Sequence, residues 1–213
     1  MAYVVNIENG YSKREEFWNA LTHGIAFLLT IPGLILLIQK ANESGSKIEL
    51  FSYIVFGISM MILFLSSTLY HSVPTHKSFF KKMDHCSIFF LIAGTYTPIA
   101  LVAVGGTTGW TIFFIEWILT IIGVVMKMFF VYRFKSLSLI VYIGMGWLII
   151  FAYKPLVTHI TVKGFLVLLL GGIIYTVGTY FYKNKRISYN HAIWHVFVMG
   201  GCAAMFASIY FYI

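Results

Sequence analysis

Charge is what this sequence has least of. Its 213 residues include 7 acidic and 15 basic side chains, so charged residues make up 10% of the chain. A water-soluble globular chain carries roughly 25%. With 60% hydrophobic residues, the composition excludes a soluble domain and leaves an integral membrane protein. Cysteine is scarce too. Cys86 and Cys202 both fall in apolar segments and read as buried small residues rather than a disulfide framework. There is no phosphate loop, nucleophile elbow or internal repeat, so nothing points to a nucleotide. The net charge of +8 is spread over short connections, with no Lys/Arg stripe along a helix face. Anionic lipid headgroups, not nucleic acid, are therefore the expected partner. The first eighteen residues are polar and lack the apolar core of a signal peptide, so the first hydrophobic segment is expected to stay in the protein.

What is present is a series of membrane-length apolar runs. A span needs about 20 predominantly apolar residues, and in lipid only helices or closed barrels satisfy the backbone. The pattern predicts an all-α bundle of seven transmembrane helices: Asn19–Ile38, Leu50–His71, Asp84–Val104, Gly109–Val131, Leu137–Tyr153, Val162–Tyr182 and Ser188–Tyr212. Residues 1–18 form the preceding segment, and no second domain or linker is visible. Lys13, Arg14, Lys77, Lys81, Lys82, Arg133, Lys135, Lys183, Lys185 and Arg186 fall on one side; Lys40, Lys47, Lys154 and Lys163 fall on the other. The excess marks the first side as cytoplasmic, with the N-terminus inside and the C-terminus outside the cell membrane.

This topology gathers polar residues at the cytoplasmic leaflet. The first span brings Asn19 and His23, the second Ser67 and His71, the third Asp84 and His85, and the seventh His191 and His195. Ionisable residues in spans are costly and face a bundle interior or a watery cavity. The spacing of His191 and His195 puts both on one helix face, about 6 Å apart along the axis. Two such imidazoles can share a metal, and His71 lies at the right depth to be the third ligand. Three neutral imidazoles with an open position match a catalytic zinc site, whose bound water has a pKa of about 7. Asp84 can orient that water or accept its proton, and Ser67, one turn before His71, can hydrogen-bond a substrate oxygen.

The other polar and special residues have plainer readings. His85 points about 100° away from Asp84 and reads as structural. His76 and His159 read as solvated loop residues, and the role of His23 is open. Glu116, in the outer half of its span, reads as paired or snorkelling. Trp18, Trp110, Tyr153 and Tyr182 read as interfacial belt residues. Pro98, in Gly94–Pro98, should loosen the third helix. Gly144-Met-Gly146 and Gly171-Gly172 should allow close helix approach.

The chain resembles the hemolysin III branch of the progestin and adipoQ receptor family, which also includes the adiponectin receptors. The resemblance rests on Glu16-Phe-Trp-Asn-Ala-Leu-Thr-His-Gly24, Ser66-Ser-Thr-Leu-Tyr-His71, Asp84-His85, Ala93-Gly-Thr-Tyr-Thr-Pro98 and His191-Ala-Ile-Trp-His195. It implies seven helices, a cytoplasmic N-terminus, and zinc at the positions of His71, His191 and His195 with Asp84 and Ser67 near the bound water. The wider superfamily includes alkaline ceramidases, which hydrolyse a lipid amide. The leading expectation is thus a zinc-dependent intramembrane hydrolase of a lipid amide or ester, acting on a membrane lipid or fatty-acyl substrate. Hemolysin III members take their name from cytolytic activity, so a pore is one alternative. A sensor or receptor with structural zinc is another.

Overall fold

The computed structural model describes residues 10–131 and 133–213. Helices α1 (Lys13–Ser44), α2 (Lys47–Ser72), α3 (Lys77–Pro98), α4 (Gly106–Phe130), α5 (Lys135–Trp147), α6 (Tyr153–Lys183) and α7 (Asn190–Tyr212) account for nearly all of them. Six helical stretches among the described residues are long and apolar enough to cross a membrane. Large apolar side chains such as Leu28, Leu29, Phe129, Phe151 and Phe211 stand exposed around the outside. An apolar surface this extensive is tolerated in lipid and not in water. The chain is a multi-pass integral membrane protein.

Local chemistry explains the helix ends. Ser12 caps α1: its hydroxyl accepts from the Glu15 amide at 3.2 Å, and the Glu15 carboxylate accepts from the Ser12 amide at 2.8 Å. Helix α1 therefore starts at Lys13, not Asn19, and takes in part of the expected leading segment. Residues 1–9 of that segment lie outside the described residues. At the end of α2, Lys77 Nζ donates to the Tyr70 carbonyl, and to that of His71 at 3.4 Å. These contacts satisfy carbonyls that the helix itself leaves without partners. Helix α3 runs to Pro98 and passes into a π-helical turn over Ile99–Val104, the form taken by the loosening expected there.

The fifth membrane-length stretch spans Ser136–Lys183, 48 residues that contain both the fifth and sixth expected spans. Backbone geometry leaves the helical region at Thr161, with φ 64° and ψ 166°. Positive φ at a β-branched residue is rare, and here it marks a reversal. The Tyr153 and Phe165 rings meet at 5.0 Å, and Trp147 Nε1 donates to Thr176 Oγ1 at 3.1 Å. Only an antiparallel return about Thr161 brings both pairs together. Helix α3 is central, with 72% of its apolar window buried against 22–44% for the others. Around it α1 packs on α2 and α7, and α7 packs on α6.

Glycine contacts divide the expected close approaches. A Cβ on Gly171 would meet Met205 Cε at 3.0 Å and Ala204 Cβ at 3.3 Å, so α6 and α7 do approach closely there. Gly144 and Gly146 would meet nothing within 4 Å, so α5 makes no such approach. Cys86 and Cys202 are buried and free, as expected. Gly171→Val should cost about 1–3 kcal/mol through overpacking, while Gly144→Ala should be neutral or stabilise by up to about 1 kcal/mol. Thermal midpoints in detergent measure both; equal midpoints would contradict the α6–α7 contact.

Candidate metal centre

One end of the bundle collects the start of α1, the end of α2, the starts of α3 and α7, and the last turns of α6. Here His71, His191 and His195 are all buried, and one ligand nitrogen from each lies within 4.8 Å of the others. Their ring centroids are 4.6–5.2 Å apart. Among the described residues this is the one such group of ligand side chains.

The hydrogen bonds behind the rings decide which nitrogens face inward. His71 Nδ1–H donates to Glu16 Oε2 at 2.5 Å, while its Nε2 is buried without a partner. His195 Nδ1–H donates to the Asn19 carbonyl at 3.0 Å and has the Thr22 hydroxyl at 3.1 Å. Each ring is thus fixed from behind by a carboxylate or carbonyl, the arrangement that orients metal-binding imidazoles and raises their basicity. His191 differs: neither of its nitrogens has a hydrogen-bond partner. Aromatic rings hold it instead, Tyr11 at 5.2 Å and Tyr182 at 6.0 Å.

These residues fit a metal ion. His71 Nε2 and both nitrogens of His191 are buried without partners, which costs about 1–3 kcal/mol per orphaned group, and a shared cation would remove that cost. A Zn–N bond of about 2.0–2.1 Å puts neighbouring ligand nitrogens about 3.4 Å apart in a tetrahedron. The triad nitrogens lie within 4.8 Å of one another, so reaching that spacing takes shifts on the order of 1 Å.

Ser67 and Asp84 do not join the triad but line a cavity that it borders. This cavity, about 150 Å³, is walled by Ser67, Asp84, His85, His191 and His195 at its polar end. Leu91, Ile92, Ile99, Leu168, Val198 and Met205 carry it into the apolar core. The Ser67 hydroxyl is buried without a partner, and Asp84 lies with its carboxylate 3.4 Å from His85 Nδ1. His85 therefore faces the same cavity as Asp84, closer to the site than its position in the helix suggested.

Several neighbours of the triad take roles that their sequence positions did not reveal. Glu16 orients His71 and lies 4.0 Å from Lys77 Nζ, so the two buried charges are partnered. Glu16, Asn19, Thr22 and His23 recur at helical spacing on one face of α1, a signal that the expected start at Asn19 cut in two. His23 stacks on His195, with centroids 3.6 Å apart and planes 10° from parallel. Tyr182 is no belt residue, since its ring packs toward His191 and Trp194. Tyr11 covers His191 from outside α1, and burial raises its phenol pKa, keeping the hydroxyl neutral. Glu116 corrects its expectation most sharply. It is 0% exposed, and neither oxygen has a hydrogen-bond partner, so it neither snorkels nor pairs in that way.

Fold and site together define a helical membrane protein with a buried histidine triad suited to a metal. The model of the Haemolysin-III related family matches residues 11–206, and the chain belongs to that family. It is 51% identical over 205 residues to the Hemolysin-3 homolog of Bacillus subtilis (strain 168), covering 95% of this chain and 96% of the relative. It is 48% identical over 202 residues to Hemolysin-3 of Bacillus cereus, covering 94% and 92%. The human Monocyte to macrophage differentiation factor is 30% identical over 205 residues, covering 92% of this chain and 83% of its own length. The resemblance carried by the histidine and aspartate motifs therefore holds at the level of the family.

Glu16→Gln keeps the fold and a hydrogen-bonding group but removes the charge behind His71. Divalent-metal affinity should fall about 10–100-fold, as it does when the partner of a ligand histidine is lost. Competition against a chromophoric chelator measures this; wild-type affinity in the variant would deny Glu16 its role.

Proposed function

We propose that the protein is a zinc-dependent intramembrane hydrolase of a lipid amide or ester. The observation that carries this reading is the junction of two unlike features. A long apolar cavity ends on Ser67 and Asp84, directly beside three inward-facing imidazoles. An acyl chain matches the apolar part, and a carbonyl at its head would lie among the polar groups. Zinc suits three neutral nitrogen ligands and, when bound, supplies a Lewis acid that polarises a carbonyl and acidifies water.

The protein groups then divide the remaining work. The Ser67 hydroxyl donates to the carbonyl oxygen as charge builds on it. Asp84 takes a proton from the attacking water and delivers it to the departing amine or alkoxide. Water's oxygen forms the new bond to the acyl carbon as the C–N or C–O bond breaks. His85, 3.4 Å from Asp84, holds that carboxylate at the cavity wall.

The chain crosses the bilayer seven times in this reading, with the N-terminus cytoplasmic and the metal centre near the cytoplasmic leaflet of the cell membrane. The reversal at Thr161 supports the count, because 48 residues of unbroken helix would extend about 72 Å against a core of about 30 Å. The excess of Lys and Arg at the histidine end supports the orientation, and also a contact with anionic headgroups.

The names of the Bacillus relatives suggest cytolysis as a second reading. A conducting pore needs polar lining along its length, whereas this cavity becomes apolar within a few turns of the histidines. Purified protein should hold about one zinc per chain, lost when His191 and His195 are both replaced by alanine. Elemental analysis decides this, and zinc-free wild type would sink the proposal. Asp84→Asn should retain the metal and lose at least about 100-fold in turnover of ceramide-type or ester lipids. Metal loss that lowers stability, with no lipid turned over by wild type, would instead indicate structural zinc. Dye leakage from liposomes that survives the histidine replacements would indicate a pore.

A further inference from the structure

We propose that Tyr11, latched by Lys185, is the door of the histidine centre: it positions His191 and controls exchange between the centre and the surrounding solution. This inference takes the triad as a metal centre and so rests on the proposed function, but its geometry stands apart from any reaction.

The three imidazoles are not held alike. His71 and His195 are each set from behind by a hydrogen bond, to Glu16 and to the Asn19 carbonyl. His191 has no such bond at either nitrogen. A ring without a hydrogen bond is held by packing alone, and beyond the other two histidines its ring partners are Tyr11 at 5.2 Å and Tyr182 at 6.0 Å. The Tyr11 ring also lies 6.4 Å from that of His71, so one side chain covers two of the three ligands.

Lys185 ties the two tyrosines together. Its ammonium donates to the Tyr11 hydroxyl at 2.9 Å and lies 5.1 Å from the Tyr11 ring and 5.5 Å from the Tyr182 ring. Tyr11 precedes α1, whereas Lys185 and Tyr182 come from the end of α6 and the loop after it. The latch thus closes a gap between chain segments 174 positions apart in sequence. An exposed ammonium contact of this kind is strong enough to bias a small movement and too weak to forbid it.

Outside the door lies a polar cavity lined by Gly10, Tyr11, Glu15, Lys185, Arg186 and Asn190. Tyr11 is common to this wall and to the packing around His191, so it is the partition between them. Gly10, in the left-handed region at φ 73° with open space around its α-carbon, gives the segment a pivot. Swinging Tyr11 about Gly10 would join the polar cavity to the triad and leave the cover from Tyr182 in place.

The test uses the full-length protein in detergent and two readouts. In metal-stripped protein, carbethoxylation of His191 by diethylpyrocarbonate, followed by mass spectrometry, reports access. Tyr11→Ala should raise the rate at least about tenfold, with Lys185→Met about threefold and Tyr11→Phe between wild type and Tyr11→Ala. In zinc-loaded protein, release to excess chelator should accelerate in the same order. Lys185→Met changes an exposed side chain, so it reports on the latch even where Tyr11→Ala disturbs folding. His191 modified at the wild-type rate in Lys185→Met and in every folded Tyr11 variant would overturn the door. Zinc-free wild type with His191 still shielded by Tyr11 would overturn the metal reading while leaving the door in place.

Discussion

The 2.5 Å hydrogen bond from His71 to Glu16 is the contact on which the rest of the site depends. It ties α2 to α1, and Lys77 at the start of α3 reaches both Glu16 and the last carbonyls of α2. Three helices are joined at one end by a single polar node. Helix α7 joins the same assembly through His195 and the Asn19 carbonyl. Helix association in lipid draws little from the hydrophobic effect, because the solvent is itself apolar. Interhelical hydrogen bonds and small-residue contacts carry it instead. Here the node supplies the former near the triad, and Gly171 the latter along α6 and α7. The bonds that orient the imidazoles are therefore also bonds that hold the helices in register.

The histidine triad was legible in the sequence for a physical reason. Ionisable groups in apolar runs have few tolerable positions, and a count of Lys and Arg was enough to bring four helix ends together. The spacing of His191 and His195 then put them on one face, and His71 followed from depth. The helical bundle was legible from the same apolar runs. Glu16 was not, although its motif was in view. Hydropathy averages begin a span where charge stops, while the helix itself begins at its cap, and Ser12 and Glu15 form that cap ahead of the apolar run. Tyr11 and Lys185 were still less accessible, because a contact between segments 174 positions apart leaves no periodic trace. Tyr182 misled by its place near a span end, where a ring facing lipid and a ring facing His191 look alike in sequence.

Helix α5 and the reversal at Thr161 show where apolar runs lose their meaning. The runs placed two spans here, yet length and composition merge them into one stretch of 48 residues. The turning residue is neither proline nor glycine, and Thr161 takes a positive φ that its side chain disfavours. Contacts on both sides enforce it, from Tyr153 to Phe165 and from Trp147 to Thr176. Tyr96 pins the break at the end of α5, donating to the Gly146 carbonyl at 3.0 Å and accepting from the Ile149 amide at 2.8 Å. Tertiary contact, not local preference, sets the backbone at this point. Gly144 and Gly146 thus leave space beside α5 rather than drawing a neighbour close.

The distribution of polar atoms within the bundle bears on what the cavity can do. At the histidine end, buried groups converge: Ser67, Asp84, His85 and the triad share one region within a few turns of the helix ends. Towards the other end the same cavity meets Ile99, Leu168 and Met205. Away from that end Ser52, Tyr53 and Glu116 are also buried without hydrogen-bond partners, but they lie outside the cavity wall and form no continuous wet path with it. A passage for ions would need such a path, whereas a site that receives a lipid from within the bilayer needs the opposite gradient. In a site of that kind apolar walls would admit the chain and concentrated polar groups would engage its head. In a low-dielectric setting each of those groups acts more strongly than it would in water, and each is correspondingly costly if left without a partner. A polar or cationic group that completed the arrangement would remove that cost, so the physics that makes the site costly to build would also make it selective for what it binds.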